Sequence, residues 1–140
     1  MVFRHVAVVD VRSGTILRDR TVAVRGDKIL AVLSGSASLH GTKVVEARGK
    51  YMIPGLWDCH MHNDSVNNTR EFFFPLYIAN GVTGVRNMCG DVFPRDDVKD
   101  GVPIEALRRL QKEVSEGKAV GPRMVLGSVI VDGTSTNYKG

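Results

Sequence analysis

The sequence predicts an α/β fold with a β-rich opening, and two observations carry that prediction. Over residues 1 to about 52, short valine-rich runs are broken by Gly and Asp, the pattern of strands joined by hairpins. Beyond Pro54, apolar strand-like runs alternate with helical periodicity, and that alternation implies βαβ units around a parallel sheet. Two segments follow, 1–52 and 53–140.

In the first segment "FRHVAVVDV" forms the opening strand and "RSGT" its turn. "TVAVRG" and "KILAVLS" flank Gly26-Asp27, a hairpin signal. Arg25-Gly26-Asp27 is therefore read as a turn and not as an adhesion motif. "KVVEA" and then "RGKYMI" complete the β segment.

In the second segment "GLWDCHMH" is a strand, "REFFFPLYIANG" a helix closed by Gly81, and "VTGVRNM" a second strand. "PIEALRRLQKEVSEGK" is the clearest helix: Ile104, Leu107, Leu110 and Val114 share a face, Pro103 sits in the first turn, and Gly117 ends it. Glu105 and Arg109 are spaced for an i,i+4 ion pair. "RMVLGSVIVDG" is a third strand, continuously apolar as strands buried on both faces are. Phe72, Phe73, Phe74 and Tyr77 are expected to form the buried face of the first crossover helix, with Pro75 delaying or kinking it. "FPRDDVKDG" lacks periodicity and is expected to be a solvated loop.

At 140 residues, 43% hydrophobic and 24% charged, the chain has the make-up of a folding globular sequence. Its +4 charge comes from dispersed residues such as Arg18, Arg20, Arg25, Lys28, Arg108, Arg109 and Lys112, with acids between them, which excludes a nucleic-acid patch. No window approaches the ~18 apolar residues that span a bilayer, so no membrane partner is expected. The charged N-terminus is no signal peptide, and a cytoplasmic location follows as the expectation. Cys59 and Cys89 are expected to be free thiols, Cys59 facing the helical layer as a small hydrophobe. His5 and His40, without partners at ligand spacing, are placed at surface or turn positions. The glycosylation patterns at Asn63 and Asn67 are read as chance matches.

The chemistry lies in "PGLWDCHMHND", residues 54–64. In a strand Asp58, His60 and His62 share one face, and the histidine Cα atoms stand ~6.6 Å apart, close enough for both imidazoles to reach one cation. Zinc or another divalent first-row metal suits such ligands. Taken alone, the pair serves equally well as two polar residues near a strand end.

The segment resembles the amidohydrolase superfamily, whose barrel usually opens on Pro-Gly-hydrophobic-x-Asp-x-His-x-His; Pro54, Gly55, Leu56, Asp58, His60 and His62 match it in order. Gly81, Val82, Thr83, Val85 and Arg86 match a second-strand Gly-Val-Thr-x-Val-Arg-Asp segment, with Asn87 where aspartate is usual. "GVTGVRNMCGD" and "GPRMVLG" are similar to the imidazolonepropionase-like and Xaa-Pro dipeptidase-like members. The resemblance implies the N-terminal part of a small β-sandwich followed by the first three β/α units of an incomplete (β/α)8 TIM-type barrel. It implies His60 and His62 as metal ligands and one or two divalent ions, zinc above all; Asp58, one strand repeat earlier, is read as a hydrogen-bonded support in preference to a direct ligand. The implied activity is carbon–nitrogen bond hydrolysis of a small amide, cyclic amide or dipeptide-like substrate by a metal-activated water.

A (β/α)8 barrel takes about 250 residues. The family's remaining ligands and catalytic aspartate are thus expected beyond Gly140, and the chain by itself is expected to be inactive. The alternative is a short, non-catalytic binding or assembly module derived from such an enzyme. "VDGTSTNYKG" closes on a strand with no covering helix, so aggregation or homo-oligomerisation through a bare sheet edge is expected of the isolated chain.

Overall fold

The hairpin at Gly26-Asp27 organises the N-terminal part of the fold. Strands β2 (Thr15–Arg25) and β3 (Lys28–Ser34) pair antiparallel from Arg25↔Lys28, which leaves Gly26 and Asp27 as a two-residue turn. Gly26 takes φ +57°, the left-handed conformation that such turns demand and that costs glycine nothing. The computed structural model describes residues 1–40, 43–62, 65–88 and 102–127. They fall in two compact units, Met1–Pro54 and Gly55–Gly140.

In the first unit β1 (Val2–Asp10), β4 (Val44–Glu46) and β5 (Tyr51–Met52) complete a five-stranded sheet. Its order is β3-β2-β1-β4, with β5 also on β1; β4 and β5 run parallel to β1 while β2 runs antiparallel. Val6, Val22 and Ala47 form its core, joined by Phe3, Val8, Val24 and Met52. Strand β2 starts six residues before the expected "TVAVRG", because Ile16 and Leu17 pair with Val9 and Val8. The polar residues Arg18, Asp19 and Arg20 had hidden this continuation. His40 is exposed, as expected, but His5 lies within β1, at an irregularity in its pairing with β2. There it takes φ +57° and meets Asp19, which pure alternation cannot reveal.

The second unit is built on three parallel strands in the order β6 (Leu56–Met61), β7 (Val82–Asn87) and β8 (Arg123–Leu126). Between β6 and β7 the chain forms α1 (Val66–Asn68), a π-helical turn (Thr69–Phe73) and α2 (Phe74–Ala79). Ser65 caps this run, its hydroxyl accepting from the Asn68 N–H at 3.1 Å, so the helix begins earlier than the aromatic pattern suggested. Pro75 follows directly on the widened turn, where its missing N–H is accommodated. Helix α3 (Ile104–Ser115) connects β7 to β8 and buries Leu107 and Leu110 completely. Met61, Phe74, Val85, Leu110 and Met124 form the core of this unit.

Four expectations are corrected here. Of the aromatic cluster only Phe74 is fully buried; Phe72 is 62% exposed, because three consecutive helical residues cannot share a face. Glu105 pairs with Arg108 at 2.6 Å, one residue short of the expected Arg109. In β8 Met124 is buried but Arg123 and Val125 are exposed, so the described strand alternates and is not buried on both faces. Cys59 is a free, exposed thiol, where a covered small hydrophobe was expected. Its position follows from a bulge: Asp58↔Val85 and Met61↔Asn87 set three steps of β6 against two of β7, and strict alternation fails between them. Cys89, Asn63, the loop "FPRDDVKDG", the rest of "RMVLGSVIVDG" and the terminal "VDGTSTNYKG" lie outside the described residues.

Candidate metal centre

Strand β6 ends the way a ligand-bearing strand in a parallel sheet should, with its polar residues at the carboxyl end where such sheets form sites. The backbone there is held by β7. Arg86 Nε donates to the Cys59 carbonyl at 2.9 Å, and Met88 N donates to the Met61 carbonyl at 2.9 Å. Trp57 lies against Gly84, its partner in register, so closely that a Cβ on Gly84 would enter the indole ring. These contacts fix the strand on either side of the histidines.

His60 and His62 are both exposed, with ring centroids 5.1 Å apart and their planes inclined at 34°. Their Nε2 atoms approach to 3.0 Å. Two nitrogens each ~2.0–2.1 Å from one zinc stand ~3.3 Å apart at a tetrahedral angle, so the imidazoles are turned as ligands of a common ion would be. The separation also suits an N–H···N hydrogen bond, in which a proton occupies the place of the cation.

Asp58 supports this pair from behind. One of its oxygens accepts the His60 backbone N–H at 3.0 Å, and the other accepts the Tyr77 hydroxyl at 3.3 Å. The half-buried Tyr77 phenol holds its proton above the ordinary tyrosine value, first through desolvation and then through the adjacent Asp58 charge and hydrogen bond. Tyr77 and Arg86 thus belong to the site, and sequence reasoning did not assign them there. Tyr77 lies 19 residues from Asp58, and only the path of α2 brings them together. The only sequence signal was Arg86 itself, already part of the second-strand match.

Asn87 is fully buried at the end of β7, opposite Met61. A neutral amide there avoids the cost of desolvating a carboxylate, which gives a physical reason for asparagine at this position. Among the described residues no group of three or more His, Cys, Asp or Glu is placed to hold a metal ion. His60 and His62 are a pair.

No protein-family profile matches the chain. Over 89 residues it is 36% identical to an adenine deaminase from Mesorhizobium japonicum, an alignment covering 61% of this chain and 14% of that one. Among solved structures, phenylurea hydrolase B superposes on 93% of this chain with a TM-score of 0.72 at 21% identity, using 30% of its own length. Bottromycin amidohydrolase superposes on 96% with a TM-score of 0.66 at 21% identity, using 25% of its length. The chain is similar in sequence to an adenine deaminase and in fold to two hydrolases. It spans about a seventh of the adenine deaminase and between a quarter and a third of the two structures. With them it shares a mixed α/β architecture made mostly of strands. Among its described residues, no helix is long and apolar enough to cross a membrane.

Proposed function

We propose that His60 and His62 are two ligands of a divalent metal ion, most simply zinc, in an enzyme that hydrolyses carbon–nitrogen bonds of small molecules. The 3.0 Å approach of the two Nε2 atoms carries this reading. The donor set fits: two imidazoles at the carboxyl end of a parallel strand, turned to one point, with their backbone fixed by neighbouring side chains. An ion held there would supply Lewis-acid polarisation of the scissile group and an acidified water.

The chain's own residues prepare the place. Asp58 ties the His60 N–H to the Tyr77 hydroxyl, and Arg86 ties the Cys59 carbonyl to β7, so the imidazoles are oriented before any ligand arrives. The names of the relatives, a deaminase of adenine, a phenylurea hydrolase and an amidohydrolase, share the cleavage of a carbon–nitrogen bond, and the substrate class proposed is an amide, cyclic amide, urea or amino-heterocycle. A catalytic zinc takes three protein ligands, so the reading requires a donor beyond His60 and His62, on further barrel strands of a longer polypeptide. Residues 1–140 alone are then inactive.

Metal content of the full polypeptide, measured by mass spectrometry alongside turnover of a panel of amides, ureas and aminopurines, tests the proposal. The expected result is stoichiometric metal in the unaltered protein and its loss from both His60→Ala and His62→Ala. Unchanged metal in both variants would overturn the assignment.

A further inference from the structure

The N-terminal unit carries a basic cavity that the metal centre does not use. Residues 1–54 hold nine Lys and Arg against four Asp and Glu, a formal +5, so they account for more than the whole chain's +4. Three of these cations, Arg18, Arg48 and Lys50, line one cavity of about 180 Å³ together with His5 and Asp19.

The topology builds this cavity. Strand β1 pairs with β4 at Arg4↔Glu46 and with β5 at Ala7↔Tyr51, so three steps along β1 face five along the neighbouring chain. The surplus residues arch out as a turn pinned at both ends, Ala47 N to the Arg4 carbonyl at 2.8 Å and Ala7 N to the Lys50 carbonyl at 3.0 Å. Arg48 and Lys50 ride on that arch. Across the cavity β1 and β2 are irregular together: His5 at φ +57° and Asp19 at φ +50° are non-glycine residues in the left-handed region, and they are joined Nδ1 to carboxylate at 2.7 Å. Such strain persists where a site is held in shape.

The charges around the cavity do not balance. Asp19 is its one carboxylate and is engaged by His5, while Arg18, Arg48 and Lys50 make no ion pair among the described residues. Three cations against one carboxylate leave a surplus of two positive charges on a concave wall, where fields are focused. We propose that this cavity binds a phosphate-type dianion, either free phosphate or the phosphate of a small phosphomonoester. Its two charges match the surplus, and the guanidinium groups of Arg18 and Arg48 offer the planar donor pairs that phosphate oxygens accept.

Inorganic phosphate and methyl phosphate, titrated into the full chain at constant ionic strength against a chloride control, test this by amide NMR. Saturable shifts centred on Arg48, Gly49 and Lys50 are expected, with affinity reduced about tenfold in Arg48→Ala and in Arg18→Ala, the loss of one charge-assisted contact. Lys112→Ala, on the exposed side of α3, serves as the charge control and should bind as the unaltered chain does. All three positions are exposed, so the variants are expected to fold, which far-UV circular dichroism verifies. Tighter binding of methyl phosphate assigns a phosphomonoester, and equal binding assigns the free anion. No saturable shift with either probe, or equal weakening by Lys112→Ala, would overturn the proposal. It stands independently of the metal centre.

Discussion

His60 and His62 bring their Nε2 atoms to 3.0 Å at the end of β6, although both side chains are exposed and a solvated pair of imidazoles gains nothing by crowding. The strand imposes that proximity through the residues beneath it. Removing either imidazole should therefore remove the ion without unfolding the unit. His60→Ala and His62→Ala are each expected to lower zinc affinity of the full polypeptide by at least a hundredfold, read by chelator competition, with the melting temperature of the metal-free protein changed little.

Asp58 and Tyr77 are expected to act on affinity through orientation. Tyr77→Phe keeps the packing of α2 and removes one hydrogen bond, at a cost of about 0.5–1.5 kcal/mol of stability. Outer contacts of this kind typically carry a tenfold to hundredfold effect on metal affinity, and about tenfold is expected here. In a double-mutant cycle with Asp58→Ala the two losses should not add, because both act through one carboxylate. Additive losses would mean that the Tyr77 hydroxyl acts by a route other than Asp58.

The raised Tyr77 value sets the sign of an alkaline effect. A group whose folded-state proton is held more tightly contributes stability that is full below the unfolded tyrosine value near 10 and lost as pH rises through the folded value. Absorbance titration should show Tyr77 ionising above the ordinary tyrosine value, and Asp58→Asn, which removes the neighbouring charge, should bring it back towards 10.

At the other extreme of pH, Asp10 accepts from the Ser13 hydroxyl at 2.8 Å and the Arg12 N–H at 2.9 Å across the β1–β2 turn. These bonds, the Ser13 hydroxyl first, hold its carboxyl below 3.8. The stability they confer is present above 3.8 and lost as pH falls through the lower folded value. Carbon NMR of the Asp10 carboxyl in Ser13→Ala should show its midpoint rising.

Packing separates the aromatic residues that the sequence grouped together. Phe74→Ala removes a fully buried side chain and should cost about 3–5 kcal/mol, whereas Phe72→Ala, at 62% exposure, should stay within about 0.5 kcal/mol. Gly84→Ala drives a methyl group into the Trp57 ring and should cost about 1–3 kcal/mol. Chemical denaturation resolves all three, and a large loss for Phe72→Ala would show that this face is covered in solution.

The sequence by itself determined the order of strands and helices, because alternation and helical periodicity are local properties. Gly26-Asp27 declared its hairpin, Leu107 and Leu110 declared the buried face of α3, and the one-residue spacing of His60 and His62 declared a shared face. Only the tertiary structure decided what departs from those periods. The bulge between Asp58 and Met61 interrupts the alternation around the exposed Cys59, and the register irregularity between β1 and β2 joins His5 to Asp19. The path of α2 delivers the Tyr77 hydroxyl to Asp58. Each of these depends on what lies across from a residue and not on what lies beside it in the chain, and pairing between distant segments leaves no local period to read.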